Sequence, residues 1–186
     1  MSEKQPVNGE VREPSESIPV LEFIRVAYEF VLFIEKIEKE GKKEVFDFIH
    51  KIAPLIYVKA VLLPEIDPEQ EEIAERFVTE EEWENVFNDL RQRLGNEDIF
   101  WFIDPLRDPD YQPIKASLAE HLTDIYQDLK DCILLYQKNN KLTRDIAVFE
   151  MKRLFRDRWG ARLMRSLNAV HFHMYPEKDL ETYEDL

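Results

Sequence analysis

The sequence predicts an all-α protein: a single-domain bundle of about five to six helices whose last two form a long antiparallel hairpin. Three observations carry this prediction. Apolar residues recur at steps of three and four along most of the chain. Only 4 glycines stand against 10 prolines, which disfavours β architectures rich in hairpins. Two connections between the helical segments, at Gly41 and at residues 139–141, are as short as those of helical bundles. The 186 residues suffice for one domain with a full hydrophobic core.

The domain limits are predicted from the positions where the apolar periodicity stops. Residues 1–17 contain prolines, a glycine and several charges but no apolar period, so we expect a disordered N-terminal tail. Residues 18–175 form the predicted single helical domain, and residues 176–186 form a predicted acidic C-terminal tail.

The first two predicted helices are separated by Gly41. The first covers about residues 19–40, with Pro19 at a position that suits the first turn. The second covers about residues 42–63 and ends before Pro64. This second segment is apolar on more than one side, which predicts that it lies at the centre of the bundle.

The third predicted helix follows a strongly acidic segment, because residues 64–84 carry ten acids and one base. Thr79 and Glu82 form a capping box at its start, and Gly95 ends it. Residues 96–114 are then predicted to be a long loop. An apolar loop of this length must pack onto the body of the protein. Three of its aromatic residues are therefore expected to be at least partly buried: Phe100, Trp101 and Phe102.

The last two predicted helices are joined by a turn at residues 139–141. A second capping box, Ser117 with Glu120, begins a helix that runs to about Lys138. Thr143 opens the last helix, which runs to about His173. Because the turn is so short, the two helices must be antiparallel neighbours, and positions whose numbers sum to about 282 should lie at the same height.

An acidic stripe is the most distinctive pattern in the chain. Its members, at spacings of four, four and three, share the helical face that points away from the apolar stripe: Glu120, Asp124, Asp128 and Asp131. One interpretation is an ordinary solvated face, and the other is a surface that binds a basic partner or a divalent cation. The candidate binding surface comprises six residues: Glu120, Asp124, Gln127, Asp128, Asp131 and His171.

The last helix has the opposite charge, with eight bases and three acids between Lys141 and Arg165. These cations either neutralise acids across the bundle or form a local patch for an anion or a nucleic acid. In the predicted hairpin Asp124 lies level with Arg158, and Glu120 lies level with Arg162.

Catalytic and metal-binding motifs are missing from the sequence. It has no Gly-x-Ser-x-Gly elbow, no P-loop and no dinucleotide-binding glycine pattern, so we assign no catalytic residue and no cofactor. It has no Glu-x-x-His pair, and His171 and His173 point about 160° apart on a helix, so we assign no metal ligand. The single Cys132 lies among apolar residues and is interpreted as a small buried side chain.

Charge and hydropathy predict the setting in which the protein acts. A net charge of −14 disfavours a nucleic-acid partner. The longest apolar stretch, residues 52–63, is too short and too polar to span a bilayer, so we expect no membrane partner. The N-terminus lacks the apolar segment of a secretory signal, and we therefore expect a cytoplasmic protein.

Three segments together resemble a known family. They are residues 53–64 (APLIYVKAVLLP), residues 122–131 (LTDIYQDLKD), and Trp159-Gly160 followed by residues 167–171 (LNAVH). The chain is similar over about residues 20–175 to an uncharacterised, mostly Bacteroidetes family, the domain of unknown function numbered 5063. The resemblance implies an all-helical domain in a bacterial cytosol and implies no activity.

The sequence favours a non-enzymatic module that binds a macromolecule, such as an adaptor or an inhibitor. Its partner would be a protein of unknown identity with a basic surface, which an acidic face would steer and orient. The sequence also leaves a homo-oligomer open. The alternative is a helical enzyme in which Asp124, Asp128 and acids from a neighbouring helix hold a divalent metal.

Overall fold

The computed structural model describes residues 13–68, 74–104, 110, 112–138 and 140–176. The protein is mostly helical, with one small two-stranded sheet. The helices are α1 (Ile18–Ile34), α2 (Lys42–Val61), α3 (Glu80–Leu94), α4 (Leu118–Gln137), α5 (Lys141–Leu154) and α6 (Gly160–Met174). The strands are β1 (Ile99–Phe102) and β2 (Ile114–Ser117).

Side-chain caps begin three of these helices. Thr79 Oγ1 accepts a hydrogen bond from the Glu82 amide at 3.1 Å, and Ser117 Oγ accepts one from the Glu120 amide at 3.1 Å. Both predicted capping residues are thereby confirmed. Asn140 Oδ1 accepts the Thr143 amide at 2.8 Å. Because Asn140 is the cap, α5 begins at Lys141, two residues before the predicted start.

The prediction of a continuous loop over residues 96–114 is wrong. Within it lies β1, which pairs with β2 in an antiparallel register that sets Phe100 opposite Ala116. β1 consists of aromatic residues and isoleucine, whose strand propensity outweighs the scarcity of turn glycines. Phe100 and Phe102 are half-buried as expected, but Trp101 is 63% exposed, so the expected burial of Trp101 is wrong.

Residues 13–17, which precede α1, lie against the body of the protein. A single 3₁₀ turn covers Pro14–Glu16, and Ser15 is fully buried. Its carbonyl oxygen accepts a hydrogen bond of 2.8 Å from the Tyr136 hydroxyl. Residues 13–17 therefore pack against the bundle and do not belong to the predicted tail. Residues 1–12, residues 177–186 and Asn139 lie outside the described residues.

The central helix is α4, which packs against α1, α3, α5 and α6. The largest fully buried side chains include Trp159, Tyr126, Phe23 and Phe30. The sequence assigned the central position to α2, whose apolar residues occupy more than one side. The structure instead leaves one side of α2 exposed at Leu55, Val58 and Leu62.

Candidate functional site

Three of the four acids of the acidic stripe lie inside the protein. Asp128 is fully buried, Asp131 is 3% exposed, and the side chain of Asp124 is 13% exposed. Glu120 alone of the four is exposed. The interpretation of this stripe as a solvated face is therefore wrong for Asp124, Asp128 and Asp131. The sequence pattern predicted a solvated face because the acids of α4 lie opposite its apolar stripe. In the structure other segments of the chain cover that side of α4 as well.

Arginines from two other segments neutralise these acids. Arg158 Nε lies 3.3 Å from Asp128 Oδ2, and Arg162 Nε lies 3.1 Å from Asp124 Oδ2. Arg76, in the segment before α3, lies 3.3 Å from Asp128 Oδ1 and 3.1 Å from Asp131 Oδ2. We call these six side chains the buried ion-pair network. The prediction that cations of the last helix neutralise acids across the bundle is confirmed.

The pairing in the buried ion-pair network is offset from the predicted heights. Arg158 does approach Asp124, at 3.8 Å, but the closer contacts join residues whose numbers sum to 286. Helical side chains tilt toward the N-terminus of their own helix. In the predicted antiparallel hairpin, this tilt would bring each arginine toward a higher-numbered acid on α4, and each acid toward a higher-numbered arginine. Glu120, which the prediction placed level with Arg162, remains outside the network.

Asp131 also anchors the chain that enters α3. Its Oδ1 accepts backbone hydrogen bonds from Phe77 at 2.7 Å and from Val78 at 2.9 Å, while Oδ2 faces Arg76. A carboxylate that accepts several hydrogen bonds at a buried position satisfies backbone groups that would otherwise lose their water. Asp131 therefore fixes the path of this segment across α4.

A π-helical turn, Phe155–Trp159, links α5 to α6 and carries Arg158. The Gly160 amide donates to the Phe155 carbonyl oxygen, five residues earlier. A Cβ at position 160 would lie 2.9 Å from two ring carbons of Phe155 and closer still to that carbonyl oxygen. The glycine is thus required for the turn. The sequence suggested only a weak point in a continuous helix, because an isolated glycine does not distinguish a π turn from an α turn.

Burial raises the pKa of Asp128, although the charges of Arg158 and Arg76 act against that rise. Each buried acid already faces a guanidinium, so the network leaves no carboxylate pair for acid–base chemistry. Among the described residues no three His, Cys, Asp or Glu side chains are grouped as a metal site. Burial also raises the pKa of the Cys132 thiol, as expected for an inert buried side chain.

A second polar cluster surrounds Lys130 on another side of α4. Its ammonium group donates to Glu35 at 2.6 Å, to the Tyr126 hydroxyl at 3.0 Å and to Glu82. Burial alone would lower the pKa of Lys130, but its hydrogen bonds to Glu35 and Glu82 outweigh this effect and raise the pKa. Burial raises the pKa of the Tyr126 hydroxyl. Lys130 therefore stays charged and Tyr126 stays protonated, so neither group is suited to act as a base. No local sequence pattern indicates this cluster, because its members come from three distant segments.

The two remaining predicted site residues are not part of the buried ion-pair network. Gln127 is half-buried on α4. His171 is exposed near the end of α6, where its ring centroid lies 6.1 Å from that of His50 and 5.1 Å from that of Tyr175. His173 faces elsewhere and stacks on Phe46 at 3.9 Å, as the predicted divergence of the two histidines requires. The six predicted residues therefore do not form one surface.

A concave feature lies between the β1 strand and α6, and we call it the aromatic groove. Its volume is about 690 Å³. The alternate residues Ile99, Trp101 and Ile103 line one wall and are exposed. Met164 and Phe172, also exposed, line the α6 wall. The sequence signal for this groove was the run of aromatic residues, which we interpreted as buried.

The side chains below and beside the aromatic groove are held in place. The Arg165 guanidinium lies 4.1 Å above the Phe102 ring and pairs with Asp104 at 2.7 Å. Phe100 contacts His121 edge to face, with the ring centroids 5.3 Å apart. Burial lowers the pKa of His121 to about 4, and the charges of Arg162 and Arg165 add to this effect. These contacts hold Phe100 and Phe102, which also line the groove, against α4 and α6.

The chain is similar to a solved protein of known fold. It is 32% identical to protein BF1032 from Bacteroides fragilis, a structural genomics target whose crystal structure superposes with a TM-score of 0.79. The match covers 89% of this chain and 98% of that chain. No curated protein matches the chain significantly. None of the described helices has the length and apolar character needed to cross a membrane. The model of one family matches residues 15–176, and the chain therefore belongs to the family described as Domain of unknown function (DUF5063).

Proposed function

We propose that this protein is a non-enzymatic macromolecule-binding module, an adaptor or an inhibitor of the bacterial cytosol, and that it binds its partner in the aromatic groove. The observation that supports this proposal is the exposure of five large apolar side chains around one concave surface: Ile99, Trp101, Ile103, Met164 and Phe172. Contiguous apolar surface of this kind is typical of interaction sites.

Trp101 is the natural anchor for a partner. Tryptophan is enriched among the residues that contribute most to binding at protein interfaces. Trp101 is 63% exposed, whereas its neighbours Phe100 and Phe102 are half-buried. The partner is then a protein segment that places apolar side chains in the groove. The net charge of −14 favours a partner with basic residues around that segment, because opposite charge accelerates encounter.

One wall of the aromatic groove belongs to α6, which is held against α4 by ion pairs. We propose that α4 and the α5–α6 helix form the predicted long antiparallel hairpin, and the ion pairs between them fit that arrangement. A wall built on a firmly held helix keeps the groove preformed, which reduces the entropic cost of binding.

A photo-crosslinking experiment tests the proposal. A photoreactive phenylalanine analogue replaces Trp101 in the native host, and the same analogue replaces Phe149 in a control, since Phe149 is exposed outside the groove. We expect a discrete protein adduct from position 101 and none from position 149. The captured protein is then purified and titrated against the full chain, and Trp101→Ala should weaken binding by at least tenfold. Equal adducts at both positions, or no effect of Trp101→Ala, would contradict the groove as the site.

The alternative of a metal-dependent helical enzyme has no observation in its favour among the described residues. Asp124 and Asp128, its proposed ligands, are paired with Arg162 and Arg158. A metal site predicts a large rise in melting temperature with Mg²⁺, Mn²⁺ or Zn²⁺. We expect no such rise, and a strong shift that Asp124→Asn abolishes would restore the enzyme hypothesis.

A further inference from the structure

The aromatic groove runs along one edge of the strand β1. Neighbouring side chains of a strand point to opposite faces of its sheet. The groove is lined by Ile99, Trp101 and Ile103, and also by Phe100 and Phe102, which alternate with them. A groove that contacts both faces of one strand must lie along the edge of that strand. No residue of β2 lines the groove, so this is the edge of β1 that points away from β2.

This edge of β1 carries backbone groups without a strand partner. The sheet formed by the described residues has two strands, so β1 has a neighbour on one side only. In an antiparallel pair, alternate residues direct their N–H and C=O groups toward the partner strand, and the residues between them direct theirs away. Two of the four β1 residues therefore present these groups to the groove. No backbone hydrogen bond outside the sheet reaches residues 99–103 in the described part of the chain.

β1 lacks the residues that protect an exposed strand edge. Edge strands commonly carry a lysine, a proline or an inward-pointing charge, which prevents another strand from joining the sheet. The sequence of β1 is Ile-Phe-Trp-Phe, which contains none of these and has a high strand propensity. An edge of this composition is a template for one more strand.

The dimensions of the groove fit one additional strand. β1 has four residues and extends about 13 Å. On the opposite wall Met164 and Phe172 lie eight residues apart on α6, which is about 12 Å. The volume of about 690 Å³, spread over about 13 Å, gives a cross-section of about 50 Å². One strand occupies about the same cross-section, because strands lie about 4.8 Å apart within a sheet and about 10 Å apart between sheets. A single strand therefore fills the groove, and the β1 edge of a second copy, which brings its own β2, does not fit.

The groove also determines the chemistry of the added strand. Its charged side chains already have partners, because Glu97 pairs with Lys42 at 2.6 Å and Arg165 pairs with Asp104 at 2.7 Å. A charged side chain of a partner would lose hydration in the groove without gaining a counter-ion. The α6 wall carries the exposed Asn168, whose amide can both donate and accept hydrogen bonds. Asn168 can therefore bind the second edge of an extended backbone.

We infer that the partner adds one extended segment to the sheet as a third strand, which pairs with β1 and is covered by α6. This inference rests on the proposed function of the aromatic groove and states which chemistry the groove recognises. The segment has about four residues in the groove, is uncharged there, has apolar side chains at alternate positions and has no proline at the positions that pair with β1. In this mode of recognition the backbone hydrogen bonds give affinity and the pockets for alternate side chains give specificity. The basic residues expected of the partner lie on either side of this segment.

Selection of binders from a library of random linear peptides, with the full chain as the target, tests the inference. We expect the selected peptides to have apolar residues at alternate positions. Trp101→Ala should weaken their binding by at least tenfold, while the control Phe149→Ala leaves it unchanged. N-methylation of the peptide, one amide at a time, should weaken binding by at least tenfold at alternate residues, because it removes the donor that pairs with β1.

The outcomes of this selection separate the strand from the groove. Apolar residues at steps of three and four, or N-methylation effects that do not alternate, would overturn the strand and leave the groove as a site for a helix. A library that yields no binder would also overturn the inference, whereas crosslinking at position 101 tests the groove independently. Peptides whose binding ignores Trp101→Ala would contradict the groove itself, and with it the proposed function.

Amide hydrogen exchange, followed by nuclear magnetic resonance, locates the added strand on the protein. In the free protein two of the β1 amides should exchange rapidly, since only the other two are paired with β2. Binding of a selected peptide should slow the exchange of these two amides by at least tenfold. If the peptide shifts the Trp101 signals but leaves the exchange of every β1 amide unchanged, the groove is occupied without strand pairing and the inference is wrong.

Replacement of Asn168 tests the contact on the other wall. Asn168→Ala should weaken peptide binding by about fivefold, because it removes the amide that faces the second edge of the added strand. The matched control is Asn88→Ala, an exposed asparagine on α3 outside the groove, which should have no effect. Equal binding by the two variants would show that α6 does not bind the backbone of the segment, which contradicts its placement between β1 and α6.

Discussion

Replacing Gly160 with alanine tests how the π turn determines the position of the last helix. In an ordinary helix interior Gly→Ala stabilises a protein by about 1 kcal/mol, because alanine loses less backbone entropy. Here the new Cβ lies 2.9 Å from two ring carbons of Phe155 and closer to its carbonyl oxygen. The oxygen belongs to the backbone and accepts the Gly160 hydrogen bond, so it has no freedom to withdraw.

The expected cost of Gly160→Ala follows from the two ways of relieving this overlap. A π turn contains one residue more than an α turn. Converting it to an α turn would therefore rotate α6 by about 100° relative to α5, the angle that one residue contributes to an α-helix. That rotation would expose Trp159, which is fully buried, so the turn should persist under strain. Overpacking against a rigid group costs about 3 kcal/mol at the upper end. After subtraction of the propensity gain, we expect Gly160→Ala to lower the free energy of unfolding by about 2 kcal/mol.

Urea unfolding followed by circular dichroism measures this change, with near-ultraviolet signals reporting on the packing of the aromatic side chains. The control is Asn168→Ala, an exposed position on α6, which should stabilise by about 0.5 kcal/mol through helix propensity alone. If Gly160→Ala is as stable as the wild type or more stable, the glycine is an ordinary helical residue and the argument from the π turn is refuted.

Three further predictions concern the buried polar groups and the caps. Asp128→Ala should lower the free energy of unfolding by about 2 kcal/mol, because it removes a fully buried carboxylate and with it one counter-charge of Arg76 and Arg158, which are both partly exposed. Glu120→Ala, at the exposed end of the same stripe, should change it by less than about 0.5 kcal/mol. Equal effects in chemical denaturation would contradict the burial of the stripe. The pKa of His121 is about 4 in the folded protein and 6.5 for a free side chain, so between these pH values only the unfolded chain takes up a proton. The free energy of unfolding should therefore fall by about 2 kcal/mol from neutral pH to pH 5. His121→Gln should flatten this part of the pH profile measured by thermal unfolding, and an unchanged slope would show that His121 is not the group responsible. Thr79→Ala should cost about 1 kcal/mol by removing the α3 cap, and a loss below about 0.2 kcal/mol would show that the cap contributes little.

The helices and their starts were predictable because the relevant interactions are local. A capping box lies within four residues, so Thr79 and Ser117 identify two helix starts without knowledge of the fold. The apolar period of α1 likewise identifies its buried face. β1 was missed because a run of four aromatic and apolar residues is compatible with a packed loop, and its partner β2 lies beyond an intervening segment.

The candidate site was harder to predict because it depends on which elements meet. The spacing of Asp124, Asp128 and Asp131 correctly places them on one face of α4 but does not say what covers that face. Arg76 reaches the stripe from a segment 52 residues away from Asp128 along the chain, and no local pattern indicates that contact. Trp101 shows the opposite error, because an aromatic residue expected in the interior instead lies on the surface.

The buried ion-pair network restricts how α4 can be seated among its neighbours. Hydrophobic burial is not directional, so a helix displaced by one turn can still bury apolar surface, although its close packing is disturbed. Asp124, Asp128 and Asp131 do not tolerate such a displacement, because each needs a cation at a fixed height, and Arg76 belongs to a different segment from Arg158 and Arg162. A displacement of about 5.4 Å along α4 would leave at least one carboxylate in the interior without a counter-charge. The three acids therefore require one helical register of α4, in addition to the requirement that close packing of the core imposes.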